Sequence, residues 1–435
     1  MTEPLRREPL ADGVWFSCIH DAKFKHNSIS ATMLMPLEDG KSAVTALVPY
    51  LLRMGSRRCP DMTQLECRLS DLYGAVLDAD VTRSGEYQLL TLSVSGADDR
   101  FSLEPGESIS RGCAELLGEI LLEPNVIDGA FPEDIFRVEQ QSLIDSITAE
   151  INEKRSYALQ RCLREMGKGC RFSIPRYGSV EEAAAVTSAA VYQRYCEVLK
   201  TARIELFFSG CGSPDYARET FRRIFGTVER TPGKHISEQP PLFAGSISRL
   251  EESLPMRQSK LVMGFRTGAP QERKKRNALR LMTALLGGSS GSRLFTRVRE
   301  KLGACYYCSA RVNILSGILT VDCGLEEGKR ELLENAVLQQ IADLAAGNIS
   351  EDELAAVRSI YISSLRAMSD SLGRLEGWYL SGLIHGEVLT PEEDIEEMLA
   401  VTAEEIAAAA GALTLDTVFF LRAEASSGEV LCDEE

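Results

Sequence analysis

The sequence predicts an α+β protein of two duplicated halves, each an antiparallel sheet backed by helices. Three observations lead there: a long internal repeat, an alternating apolar hairpin in each copy, and helical segments that come in pairs without a βαβ rhythm. Placing residue 65 on residue 294 gives an offset of 229 that holds without a gap to residue 91. Leu65 meets Leu294, Arg68 meets Arg297, Gly74-Ala75 meets Gly303-Ala304, and Leu90-Thr91 meets Leu319-Thr320. These are six identities in 27 positions, where unrelated sequence gives roughly one or two. A unit of about 220 residues is far longer than a solenoid repeat, so the chain is a duplication. The first repeat spans 1–229, a linker 230–243, and the second repeat 244–435; the linker is read from Thr231-Pro232-Gly233 and Pro240-Pro241.

Each half reads in the same order. A strand (28–37; 260–266) precedes an apolar helix (41–54; 277–286), and a second helix follows (62–73; 293–302). Next comes the hairpin, 75–94 and 304–323, turning near Gly85 and Gly317. A helical pair comes after it, its second member long: 132 to about 166, and 351 to about 372. Pro132-Glu133-Asp134 and Ser350-Glu351-Asp352-Glu353 are helix-start signals, the latter with capping-box spacing. A helix and a final strand (204–209; 417–421) close each half.

Composition narrows the function. The chain has 435 residues, with 48 basic against 64 acidic side chains and a net charge of −16. Binding to nucleic acid rests on Lys and Arg neutralising phosphates, so so acidic a chain excludes it as a partner. No run of 18 apolar residues is present, so no membrane span is expected. Arg6-Arg7 has no apolar stretch behind it, which is not the pattern of a secretory signal, and the expected location is cytoplasmic. Twelve cysteines in 435 residues fall below disulfide-scaffold density. The single C-x-x-C, Cys305 to Cys308, falls in an expected strand over 304–312. Residues three apart on a strand face opposite ways, which predicts a reduced, buried pair and no metal or redox site.

The only histidines are His20, His26, His235 and His385, and no two have the spacing of a zinc-chelating pair. Gly40-Lys41-Ser42 lacks the earlier glycine of a phosphate loop, since position 35 is Met35. Gly287-Gly288-Ser289-Ser290-Gly291-Ser292 follows a helix. It reads either as a helix-to-helix connection or as backbone lying close to an extended ligand. The residues by themselves show no catalytic constellation.

The duplicated halves, the Gly-rich approach and the segment 294–310 (LFTRVREKLGACYYCSA) resemble the insulinase/pitrilysin family of zinc metallopeptidases, nearest to its processing-peptidase branch. The resemblance implies that two such chains, or two linked copies, close around a chamber holding an unfolded peptide. Active members carry H-x-x-E-H on the first long helix and a distal Glu ligand on a later one. Counted back from Gly55, the five slots here are Ala46-Leu47-Val48-Pro49-Tyr50, and the distal slot is Ser146. Neither imidazole nor the general base is present, so the resemblance implies no bound metal and no cofactor in this chain. Active members also bring an Arg and a Tyr from the second half to the substrate, matching Arg299 and Tyr306; the first-half equivalents are Ser70 and Leu77. With Gly287 and Gly288, these form the implied substrate-binding set. The implied function is a non-catalytic subunit of a heteromeric endopeptidase, whose partner carries H-x-x-E-H and the zinc. The alternatives are a scaffold homologue without a role in proteolysis, or a peptide-binding protein. Leu72-Tyr73-Gly74-Ala75 and Ser156-Tyr157-Ala158-Leu159 also resemble a bacterial subgroup associated with modification of elongation factor P.

Overall fold

A computed structural model describes residues 5–233 and 241–424; half of the expected linker, 234–240 with His235, lies outside the described residues. The first sheet holds β1 (Arg6–Ala11), β2 (Val14–His20), β3 (His26–Pro36), β4 (Val76–Ser84), β5 (Tyr87–Ala97) and β6 (Arg203–Gly210), in the order β1-β2-β6-β3-β5-β4. The second holds β7 (Ser248–Pro255), β8 (Ser259–Arg266), β9 (Tyr307–Asn313), β10 (Ile318–Leu325) and β11 (Thr414–Glu424), in the order β7-β11-β8-β10-β9. Central β6 and β10 are buried almost throughout, as strands covered on both faces must be. Thr91 pairs with Thr32 on β3, and its repeat equivalent Thr320 pairs with Gly264 on β8. The pairing does not keep the repeat offset: Thr91 lies opposite Asp80 on β4, whereas Thr320 lies opposite Arg311 on β9, two positions beyond the repeat equivalent of Asp80.

Two expectations need correction. The sheets are not wholly antiparallel, because β6 runs parallel to β2 and β11 parallel to β7. Both strands return from long helical excursions, which is the kind of crossover a parallel pairing needs. The single long helix over 132–166 is two helices, Glu133–Asn152 and Lys154–Met166. Glu153 separates them with extended backbone, and its carboxylate accepts from the N–H of Arg155 and Ser156 at 3.2 and 2.5 Å, making a new N-cap. The second half stops likewise at Met368 and restarts at Leu372, capped by Ser371.

These breaks fall close to where the chain changes compact unit. One unit takes residues up to Thr148, then Ile174 to the linker, then Leu365–Asp394; the other takes Ala149–Ser173, the second half to Ser364, and Ile395 onward. Each sheet thus receives one helix from the opposite half of the sequence. In the second unit Ala158, Cys162 and Met166 pack with Val262, Ile318, Phe419 and Leu421. In the first unit, helix Leu372–His385 buries Glu376, whose carboxylate accepts from Ser30 on β3 and from Ser209 on β6 at 3.4 Å. Among the described residues no helix is long and apolar enough to cross a membrane.

Burial raises the Glu376 carboxyl from 4.5 to about 7, although both hydroxyls pull the other way. A raised folded-state pKa contributes stability that is complete below the unfolded value and lost as pH rises through the folded one. Unfolding by urea at a series of pH values should therefore show stability falling by roughly 3 kcal/mol between about pH 4.5 and pH 7 from this group. Glu376→Gln, which keeps an acceptor for the serines, should remove most of that slope.

Candidate functional site

Helix Ser42–Arg53 carries the slots that a zinc site would use, and its residues are filled differently. Ala46 and Pro49 are buried apolar positions, and Pro49 sits inside the helix, where it removes a backbone donor. The Tyr50 hydroxyl lies 3.2 Å from that of Tyr177. Burial, the Tyr177 contact and Asp80 push the Tyr50 phenol well above its ordinary range, so it stays neutral. Arg53 lies over the Tyr50 ring and reaches Glu139 of helix Glu133–Asn152 at 3.8 Å. Ser146, on the same helix, is exposed and donates back to the Ser142 carbonyl at 2.8 Å. The donor set is two phenols, an arginine-facing carboxylate and no imidazole, which does not fit zinc. Among the described residues no group of three or more His, Cys, Asp or Glu is arranged to hold a metal ion.

The second half holds a different arrangement. The expected helix over 293–302 is a π-helix, Leu294–Lys301, with Leu302 N–H donating to Arg297 five residues back. Its first-half equivalent, Met62–Asp71, is an ordinary α-helix. Both end alike: Ala304 N–H reaches Val298 O and Ala75 N–H reaches Leu69 O, at 3.2 and 3.0 Å. Gly303 and Gly74 make the turn at φ +60° and +72°, conformations that favour glycine. Wide turns of this kind recur at functional sites.

The π-helix is anchored at its start. Buried Arg293 binds both oxygens of Glu353 at 3.2 and 2.9 Å, and Arg297 adds a bond of 2.7 Å. Glu353 also accepts from the Ser350 N–H at 3.3 Å while its own N–H donates to the Ser350 hydroxyl, the reciprocal capping read from sequence. Although burial works against it, Arg293 and the cap hold the Glu353 carboxyl below its ordinary range.

From that base Arg299 and Tyr306 come together. Arg299 Nε donates to the Tyr306 carbonyl at 2.9 Å, and its guanidinium lies 4.5 Å from the Phe295 ring centre. Tyr306 is 47% exposed and its hydroxyl donates to Glu326 at 3.2 Å. Lys329 and that hydroxyl hold the Glu326 carboxyl below its usual range. Among the described residues Arg299 has no carboxylate partner. The group can therefore present a guanidinium and a phenol to a carbonyl or carboxylate, but contains no base placed to activate water. Sequence reasoning missed Phe295, Glu326 and Lys329; only the i,i+3 spacing of the last two offered a signal, and such pairs are common on any surface.

Gly287 and Gly288 take up a packing role. Gly287 is the buried last residue of helix Arg273–Gly287, and a Cβ there would lie 2.5 Å from the Ala310 nitrogen. At Gly288 a Cβ would meet the Ala284 Cα at 2.7 Å. The close approach is between this helix end and β9.

Residues 185–361, which include both Arg299 and Tyr306, match the peptidase M16 inactive domain. Over those residues the chain is similar to an M16 inactive domain. It is 26% identical over 421 residues to the probable inactive metalloprotease YmfF of Bacillus subtilis, covering 94% of this chain and 96% of that one. Among solved structures, a conserved protein from Enterococcus faecalis superimposes with a TM-score of 0.89 at 24% identity, covering 98% of this chain and all of that one. A peptidase M16 inactive domain from Pseudomonas fluorescens gives 0.75 at 15% identity, with 98% of this chain and all of that one covered. The M16-like architecture thus extends along the whole chain, and the missing imidazoles agree with an inactive homologue.

Because the nearest atom to a Cβ at Gly287 is backbone, Gly287→Ala should lower stability by about 1–3 kcal/mol, read from the midpoint of chemical unfolding. An unchanged midpoint would show that the helix end has room.

Proposed function

We propose that this chain is the non-catalytic subunit of a heteromeric zinc endopeptidase acting on peptides or unfolded segments. It supplies Arg299 and Tyr306, while a homologous subunit carrying H-x-x-E-H supplies zinc and the water-activating carboxylate. The observation that carries the proposal is the exposed Arg299–Tyr306 pair, joined at 2.9 Å on the only half that keeps those residue types. Ser70 and Leu77 stand at the equivalent positions of the first half, so the repeated scaffold does not demand an arginine or a tyrosine there.

In this reading Arg299 keeps its Nε on the backbone and offers its terminal nitrogens to a substrate carbonyl. The Tyr306 hydroxyl exchanges Glu326 for the same oxygen as negative charge develops there. Both interactions strengthen toward the transition state, so they act on kcat more than on binding alone.

The isolated chain should hydrolyse no unstructured peptide and contain no stoichiometric zinc by metal analysis. Mixed with its H-x-x-E-H partner it should give activity, and Arg299→Ala or Tyr306→Phe in this chain should lower kcat/KM by about 10²–10³-fold, the usual effect of deleting an oxyanion donor. Full activity in both variant complexes would instead make the chain a scaffold.

A further inference from the structure

Three thiols converge beside Tyr306. Cys308 on β9 and Cys323 on β10 are directly opposite in the ladder, both are buried, and their sulfurs are 2.8 Å apart. The sequence reading set Cys305 and Cys308 on opposite faces of one strand. The structure corrects it: β9 begins at Tyr307, so Cys305 precedes the pleat, and its thiol lies near enough to that of Cys308 to be shifted by it. Cys305 is half-buried, the one member of the trio with access to solvent. Antiparallel partners stand about 4.5–5.5 Å apart at Cα, inside the range of about 4.4–6.8 Å that a disulfide spans.

We propose that Cys305, Cys308 and Cys323 form a thiol–disulfide exchange site whose oxidant is a low-molecular-weight disulfide. The Cys305 thiolate attacks one sulfur of that disulfide; a protein–ligand S–S bond forms, the ligand's own S–S bond breaks, and one small thiolate leaves and takes up a proton. Cys308 then attacks the Cys305 sulfur and expels the second small thiol. Cys323 attacks the Cys308 sulfur, Cys305 returns to the thiol, and a Cys308–Cys323 bond remains. Two protein thiols have lost two electrons and two protons, and one small disulfide has become two thiols.

The neighbouring Cys308 thiol and burial push the Cys305 thiol up, while Arg299 and Lys329 act against them. The first attack is accordingly the slow step. The product locks β9 to β10 close to Tyr306, whose N–H donates to Gly324 O at 2.7 Å on the neighbouring strand. This site stands independently of any role in proteolysis.

The test incubates the whole chain with oxidised glutathione, quenches with acid, alkylates the remaining thiols and maps disulfide-linked peptides by mass spectrometry. The expected result is a Cys308–Cys323 peptide, formed at least about tenfold more slowly in Cys305→Ser, with Cys308→Ser holding glutathione on Cys305. Cys305→Ser changes a half-buried position and keeps the test decisive if Cys308→Ser fails to fold. Oxidation confined to the exposed Cys67 and Cys196, or a Cys305→Ser protein that oxidises as fast as the parent, overturns the proposal.

Discussion

The Arg155–Asp322–Ser309 triangle holds the second unit in register. Asp322 is buried on β10, and its carboxylate accepts from Arg155 at 2.5 Å and from Ser309 on β9 at 2.8 Å. Arg155 closes the figure with a bond of 2.8 Å to Ser309 and lies 4.5 Å from the Tyr307 ring centre. Stripping the arginine from such a carboxylate leaves a buried charge without compensation, at a cost of about 3–5 kcal/mol. The cation comes on helix Lys154–Met166, from the other half of the sequence. Everything that positions Tyr306 follows: the β9–β10 hairpin, the thiols on it, and the Arg299 bond to the Tyr306 carbonyl. The covering helix is therefore an electrostatic keystone as well as an apolar lid.

The duplication makes the chain its own control. The turn after residues 69 and 298 has the same backbone bond and the same left-handed glycine in both halves. Yet the first half puts an α-helix before it and the second a π-helix. The first half fills the corresponding region with a phenol pair and an Arg53–Glu139 contact, which satisfy buried polar groups without a metal. The second half presents an exposed guanidinium without a carboxylate partner among the described residues and a phenol whose hydroxyl donates to Glu326.

The repeat, the hairpins, the central strands and the Ser350–Glu353 cap were legible because periodicity and capping chemistry are local. The break at Glu153 was not, since Asn152-Glu153-Lys154-Arg155 contains no proline or glycine and continues a helical pattern. What ends the first helix is that the next one satisfies its Arg155 at Asp322, 167 positions away. Strand β1 was missed because its burial pattern shows no fully covered position. The role of Gly287 was hidden for a related reason: a glycine that admits a ligand and one that admits a strand look alike until the strand is placed.

Charge supplies the last step. In a chain with 64 acidic and 48 basic side chains, an arginine is seldom short of a carboxylate. Arg293 and Arg297 share Glu353, whereas Arg299, on the same π-helix, takes a backbone carbonyl and an aromatic face. Its orientation is thus set by neutral groups. A carbonyl or carboxylate arriving there meets a guanidinium already placed, with no resident ion pair to break, and the ordering cost that weakens most exposed pairs has been met by the fold. An arginine serving only the surface gains nothing from being held this way; one that must meet a ligand in a fixed geometry does.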